Sequence, residues 1–178
     1  MCEPANESPR RVVVGVNGSP CSLAALHRAA EEARMREAEL WAVLAWKPAN
    51  SRLTGRTSPL PSPYTDCSSA AVELLRDTLG KAFGAVQPGV TLAGLAVCAT
   101  AGAALVDVAC HPHDLLVVGT GKGGPVRRAL RPSVARYCLS HAHCPVLTVP
   151  PSPLEAELTA AHRRNVWRIR LDTRELAE

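Results

Sequence analysis

Leu115–Pro150 reads LLVVGTGKGGPVRRALRPSVARYCLSHAHCPVLTVP. The aliphatic run Leu115–Val118 breaks into a glycine-rich loop, Gly119–Gly124, continues through a basic amphipathic segment and closes on a second aliphatic run, Pro145–Val149. That order predicts strand, loop, helix, strand, with Pro132 or Ser133 opening the helix. The loop falls where backbone N–H groups at a helix start can face an anion. From Gly119 to Tyr137 there are five basic residues (Lys122, Arg127, Arg128, Arg131, Arg136), and no Asp or Glu occurs between Asp114 and Glu155. Loop, helix start and local positive charge together point to a phosphate-bearing ligand.

Working outward, the rest of the chain repeats the alternation. Arg11–Val16 predicts a first strand. Asn17-Gly18-Ser19-Pro20 is turn chemistry, with Ser19 or Ser22 as a helix cap and Pro20 in the first turn. Cys21–Glu37 predicts a helix with Leu23, Leu26, Ala30 and Ala33 inward and Arg28, Glu31, Glu32, Arg34 and Arg36 outward. Leu40–Trp46 is a second strand. The four prolines of Lys47–Asp66 predict a long surface loop. Ser68–Val86 predicts a second helix, Val90–Cys98 a third strand, and Ala101–Cys110 a short helix with Asp107 on its solvent side. The alternation of strands and helices predicts an α/β fold, an open parallel sheet of five strands with helices on both faces.

The 178 residues suffice for one domain, and with aromatics at 3% the core must be built from Ala, Val and Leu. Residues 1–10 read as a loose polar arm, 11–150 as the domain, and 151–178 as an extension, helical at Leu154–His162 and strand-like at Trp167–Leu171. The net charge of +4 is mild, and without a broad basic face or stacking aromatics no nucleic-acid partner is expected. The opening MCEPANESPRR lacks an apolar signal region, and every apolar stretch is too short to span a bilayer, so a cytoplasmic protein without a membrane partner is expected. The seven cysteines form no CxxC pair and read as core residues or free thiols.

Several sharper motifs fail on context. GxGxxG is present at Gly119, Gly121 and Gly124, but it follows the fourth strand and no acid lies downstream for a ribose, so a dinucleotide fold is rejected. Walker A spacing is absent. The histidines 111, 113, 141 and 143 with Cys110, Cys138 and Cys144 make no complete zinc set, and no metal site is assigned. Ser19 and Ser133 have no paired base and read as helix caps, so no catalytic residue is assigned. A pyrophosphatase-type SGGxDS loop is not matched by VNGSPC.

Three stretches, VVVGVNGSPCSLAALHRAAEEA, LLVVGTGKGG and PSVARYCLSHAHCPVLTVP, resemble the universal stress protein family over residues 11–149. The resemblance implies the adenine-nucleotide alpha-hydrolase-like arrangement with strand order 3-2-1-4-5, ligand binding where the order reverses, and a homodimer through the edge strand Pro145–Val149. ATP-binding members carry glycine, two residues, glycine, nine residues, then glycine and Ser or Thr. Here Gly119 matches the first glycine and Ser133 the hydroxyl, while Lys122 and Pro132 stand at the second and third. Asn17 stands where binders carry Asp, and Val43 matches a second-strand position whose backbone faces the base. The implied site is Val16, Asn17, Gly18, Val43, Val118, Gly119, Thr120, Gly121, Lys122, Gly123, Gly124, Pro132, Ser133 and Val134. Pro132 lacks an N–H and so removes a phosphate donor; Lys122 crowds a bare-backbone position but offers its own charge. The expected ligand is ATP, with Mg²⁺ only alongside it and hydrolysis at most slow. The alternative is an interaction module of the same fold that acts through its dimer surface on an unidentified regulatory partner without nucleotide.

Overall fold

The computed structural model describes residues 9–47, 63–84, 88–120 and 133–151. Their elements run β1 (Arg11–Gly15), α1 (Pro20–Arg36), β2 (Glu39–Trp46), α2 (Pro63–Phe83), β3 (Leu92–Cys98), α3 (Ala101–Val108), β4 (Leu115–Gly119), α4 (Val134–His141) and β5 (Val146–Val149). The sheet is parallel throughout, in the order β3-β2-β1-β4-β5. β1 lies at its centre, with Val14 opposite Ala42 on one side and Val117 on the other.

Alternation along each strand divides the core into two layers. Val12, Val14, Leu40, Ala42, Leu115 and Val117 face α1 and α2. Val13, Val43, Leu116 and Val118 face α3 and α4. Because both faces are covered, the strands read as unbroken aliphatic runs. Alanines 25, 29, 30 and 33 of α1 are fully buried, so this helix sits against the sheet on methyl groups where aromatics are scarce.

Three expectations are corrected. Helix α2 starts at Pro63, inside the stretch read as loop, because a proline in a first turn loses no hydrogen bond. Glu32 is buried, not solvent-facing, and it accepts from Arg28 at 2.6 Å and Arg36 at 3.3 Å. Asp107 is exposed as expected. Cys67, Cys98, Cys138 and Cys144 are free thiols, but Cys110 is disulfide-bonded, which corrects the reading of it as a core residue or free thiol. The arm 1–8, the tail segments 154–162 and 167–171, and residues 85–86 lie outside the described residues.

At the amino end of the strands sits a buried ion pair. Arg11 Nε and Nη2 donate to the two carboxylate oxygens of Asp114 at 3.0 and 2.6 Å. Nη2 also reaches Val108 O at 3.2 Å and His111 Nδ1 at 2.5 Å, and the guanidinium lies 4.9 Å from the Trp41 ring centroid.

Cys138 of α4 is fully buried in the layer facing α3. Burial, and secondarily the charge of Cys144, push its thiol from 9.0 up to about 11. The folded state therefore holds this proton more tightly than the unfolded chain does. Its contribution is complete below pH 9.0 and fades as pH climbs through about 11. Urea midpoints should accordingly fall between those pH values more steeply for the wild type than for Cys138→Ala.

Candidate functional site

The strand order reverses between β1 and β4, and the carboxyl ends of these two strands flank the crevice where ligands of open parallel sheets bind. On the β1 side, Val16 is buried and Asn17 and Gly18 are exposed. Gly18 has φ +73°, a left-handed turn that a β-carbon would strain. The turn is held by its own polar groups. Ser19 N–H donates to Asn17 Oδ1 at 3.1 Å, and Asn17 N–H donates to Ser22 Oγ at 3.3 Å. Ser19 caps α1 by accepting from Ser22 N–H at 3.3 Å, and Ser22 Oγ donates to Ser19 O at 2.8 Å. Of the two serines offered as caps, Ser19 is the cap and Ser22 the brace.

On the β4 side, Val118 is buried and Gly119 packs against the start of α1. A β-carbon on Gly119 would lie 2.8 Å from Cys21 O, so a bare backbone is what lets β4 and α1 meet. Thr120 N–H donates to Val149 O at 2.9 Å, and Thr120 Oγ1 is buried with no hydrogen-bond partner among the described residues. Ser133 caps α4, accepting from Arg136 N–H at 3.4 Å, and Val134, the first helical residue, is exposed. Gly121, Lys122, Gly123, Gly124 and Pro132 lie outside the described residues.

The register of β2 adds a residue that the sequence did not reveal. Glu39 N–H bonds to Arg10 O and Val43 O accepts from Val16 N–H, both at 2.9 Å, so odd-numbered residues of β2 turn their backbone toward β1. Leu40 N–H bonds to Thr91 O at 2.9 Å, so even-numbered ones turn toward β3. Val43 thus has its carbonyl engaged inside the sheet. Ala45 is the next residue directed at the β1 side, but β1 has ended at Gly15 and the chain turns off at Asn17. No backbone bond from that side reaches Ala45 among the described residues, so its N–H and C=O face the crevice as a donor–acceptor pair. The only sequence signal for it is strand register, which needs the folded pairing.

Chemically, the crevice offers backbone amide groups, small residues and hydroxyls. Among the described residues no three His, Cys, Asp or Glu side chains gather as a metal-ligand set, and no helix is long and apolar enough to cross a membrane.

The universal stress protein family model matches residues 9–150. A crystal structure of a universal stress protein in complex with cAMP is similar to this chain, with 26% identity and a TM-score of 0.61 over 82% of this chain and 100% of that one. The universal stress protein UspA from Lactobacillus plantarum is similar at 22% identity and a TM-score of 0.56, covering 81% of this chain and 99% of its own. A member of the same family from Burkholderia pseudomallei shows the fold at 21% identity and a TM-score of 0.51, over 80% and 96% of the two chains. No curated protein matches the sequence.

Proposed function

This chain belongs to the universal stress protein family, and from that premise we propose that it is a cytoplasmic stress-response protein that binds an adenine nucleotide, ATP first, in the crevice between the ends of β1 and β4. The observation that carries this reading is the N–H and C=O of Ala45, which no backbone bond among the described residues reaches from the β1 side, beside the Gly18 turn and the Gly119 contact. A donor–acceptor backbone pair complements the edge of an adenine ring. The cAMP complex of the 26%-identical relative supports an adenine ligand. Mg²⁺ would enter with the triphosphate, held mainly by phosphate and water oxygens. Among the described residues no side chain in the crevice is placed as a general base, and the reading carries hydrolysis that is slow at most.

Calorimetry with ATP, with and without Mg²⁺, tests the reading; absence of both heat and a thermal shift at millimolar ATP overturns it. Lys122 and Pro132 favour the second reading, a module that works without nucleotide. The two readings separate on the double variant Lys122→Gly, Pro132→Gly. Restoring a single hydrogen bond to a charged phosphate is worth about tenfold in affinity, so the variant should bind ATP at least that much more tightly.

The same proposal includes a homodimer through β5. This strand is an edge whose residues are all partly exposed. Leu116 N–H bonds to Pro145 O and Thr120 N–H to Val149 O, so odd-numbered residues of β5 face β4 and even-numbered ones face outward. Thr148→Pro removes an outward N–H and leaves the β4 ladder paired. Light scattering should show this variant as a monomer where the wild type is a dimer.

A further inference from the structure

Cys110 lies between α3 and β4, half-buried at the amino end of the sheet and so at the end away from the crevice. It is disulfide-bonded. Of the other six cysteines, Cys67, Cys98, Cys138 and Cys144 are free thiols. Cys21 opens α1 against Gly119, at the far end of β4 from Cys110. A strand of that length spans roughly 15 Å, whereas a disulfide needs its two Cα atoms within about 7 Å. Cys2, which lies outside the described residues, is the cysteine that remains. Chain length permits the pairing. Cys2 precedes Arg11 by nine residues, up to roughly 30 Å of extended chain, and Arg11 Nη2 is itself 3.9 Å from Cys110 Sγ.

We propose that Cys110 and Cys2 are a redox-reversible pair, a thiol–disulfide site that ties the first residues of the chain to the end of the sheet remote from the crevice. The groups around the Cys110 sulfur suit a bond that opens and closes. Arg11 Nη2 lies 3.9 Å from it and His111 Nδ1 3.4 Å. A cation beside the sulfur stabilises the thiolate that leaves on reduction and attacks on oxidation. Asp114 shares that positive charge, and its two oxygens hold the guanidinium in place. Oxidation needs only a small disulfide such as glutathione disulfide. The Cys110 thiolate attacks one of its sulfurs and expels one small thiolate; the Cys2 thiolate then attacks the Cys110 sulfur and expels the second. Two protein thiols become one disulfide, the small disulfide becomes two thiols, and the two protein protons pass to the leaving groups. The reversibility rests on the cytoplasmic reading, because disulfides in a reducing compartment are as a rule transient and redox-sensing. Nothing in it depends on nucleotide binding.

The test equilibrates the full-length protein with reduced and oxidised glutathione over a range of ratios, blocks the remaining thiols by alkylation and maps the tryptic peptides. Peptide 1–10 should be linked to peptide 82–122 at oxidising ratios, be released at strongly reducing ones, and be linked again on reoxidation. Peptide 82–122 carries both Cys98 and Cys110, so Cys110→Ser should abolish the link and Cys98→Ser should keep it. Cys2→Ser should abolish it as well. Absence of the link in the wild type overturns the proposal, as does a link that persists in Cys110→Ser. A link that reduced glutathione opens only after the protein is denatured overturns the reversible role. Calorimetry with ATP on the same samples separates this inference from the nucleotide reading: loss of the link with ATP binding intact defeats the pair alone, and a linked protein that binds no ATP defeats the nucleotide reading alone.

Discussion

Asp114→Ala should destabilise the fold by about 3–5 kcal/mol, the cost of stranding a buried cation. In a domain of this size that is a fall of roughly 6–20 °C in melting temperature. The side chain of Asp114 is 2% exposed and that of Arg11 11% exposed, so water cannot replace the lost carboxylate. His111 Nδ1 and Val108 O would remain as neutral acceptors, and the Trp41 face would still attract the cation, but none of them carries a charge. The backbone at His111 would lose a partner as well, since its amide N–H donates to Asp114 Oδ2 at 3.0 Å. The double variant Arg11→Met, Asp114→Leu removes both charges and should recover most of the loss, because an ion pair in this setting holds little net advantage over well-packed apolar groups. Thermal and urea melts of the two single variants and the double variant complete the cycle; single variants within 1 kcal/mol of wild type would contradict it. The pair is remote from the crevice, so ATP binding should survive wherever the protein stays folded.

The second large effect is expected at Gly119. Gly119→Ala places a methyl group 2.8 Å from Cys21 O and 3.3 Å from Cys21 C, both backbone atoms at the start of a helix. Gly15→Ala creates the same 2.8 Å approach, but to Cδ1 of Leu105, the tip of a side chain. A side-chain tip can rotate away, whereas the carbonyl can move only if α1 and β4 separate. Gly119→Ala should therefore cost about 1–3 kcal/mol, the range for overpacking a tight contact, and exceed Gly15→Ala. It should also weaken ATP by about tenfold or more, because shifting β4 moves the end of the strand that borders the crevice. Melts and calorimetry on both variants check the ranking. Equal costs, or unchanged ATP affinity in Gly119→Ala, would remove the close approach from its assigned role.

The strands were legible because each is buried on both faces. Val12, Val13 and Val14 are all fully buried, and only a strand between two helical layers asks for three consecutive valines. The β1–α1 turn was legible for a different reason: Asn, Gly, Ser and Pro each perform a local task there, and none depends on the rest of the chain. Pro63 misled because proline both ends a loop and begins a helix, and four prolines in a row of loop-like residues hide which use applies. The Arg11–Asp114 pair was invisible because its members are separated by 103 residues and each looks like an ordinary polar strand boundary. At the crevice, Gly18 and Gly119 were readable from residue type. Ala45 was not, since an alanine carries no chemistry in its side chain and its importance comes from where the neighbouring strand stops. Thr120 stood out only as a member of the loop; that its hydroxyl lacks a partner is a property of packing.

The seat of β1 between β2 and β4 has a consequence for synthesis. At a ribosomal rate of roughly 5–20 residues per second, the 103 residues that separate Arg11 from Asp114 take about 5–20 s to emerge. Through that interval the valine-rich first strand has one neighbour and one bare side. Nascent chains of this protein are therefore most open to wrong partners midway through translation, and chaperone capture should peak before the codons for Leu115–Gly119 are read.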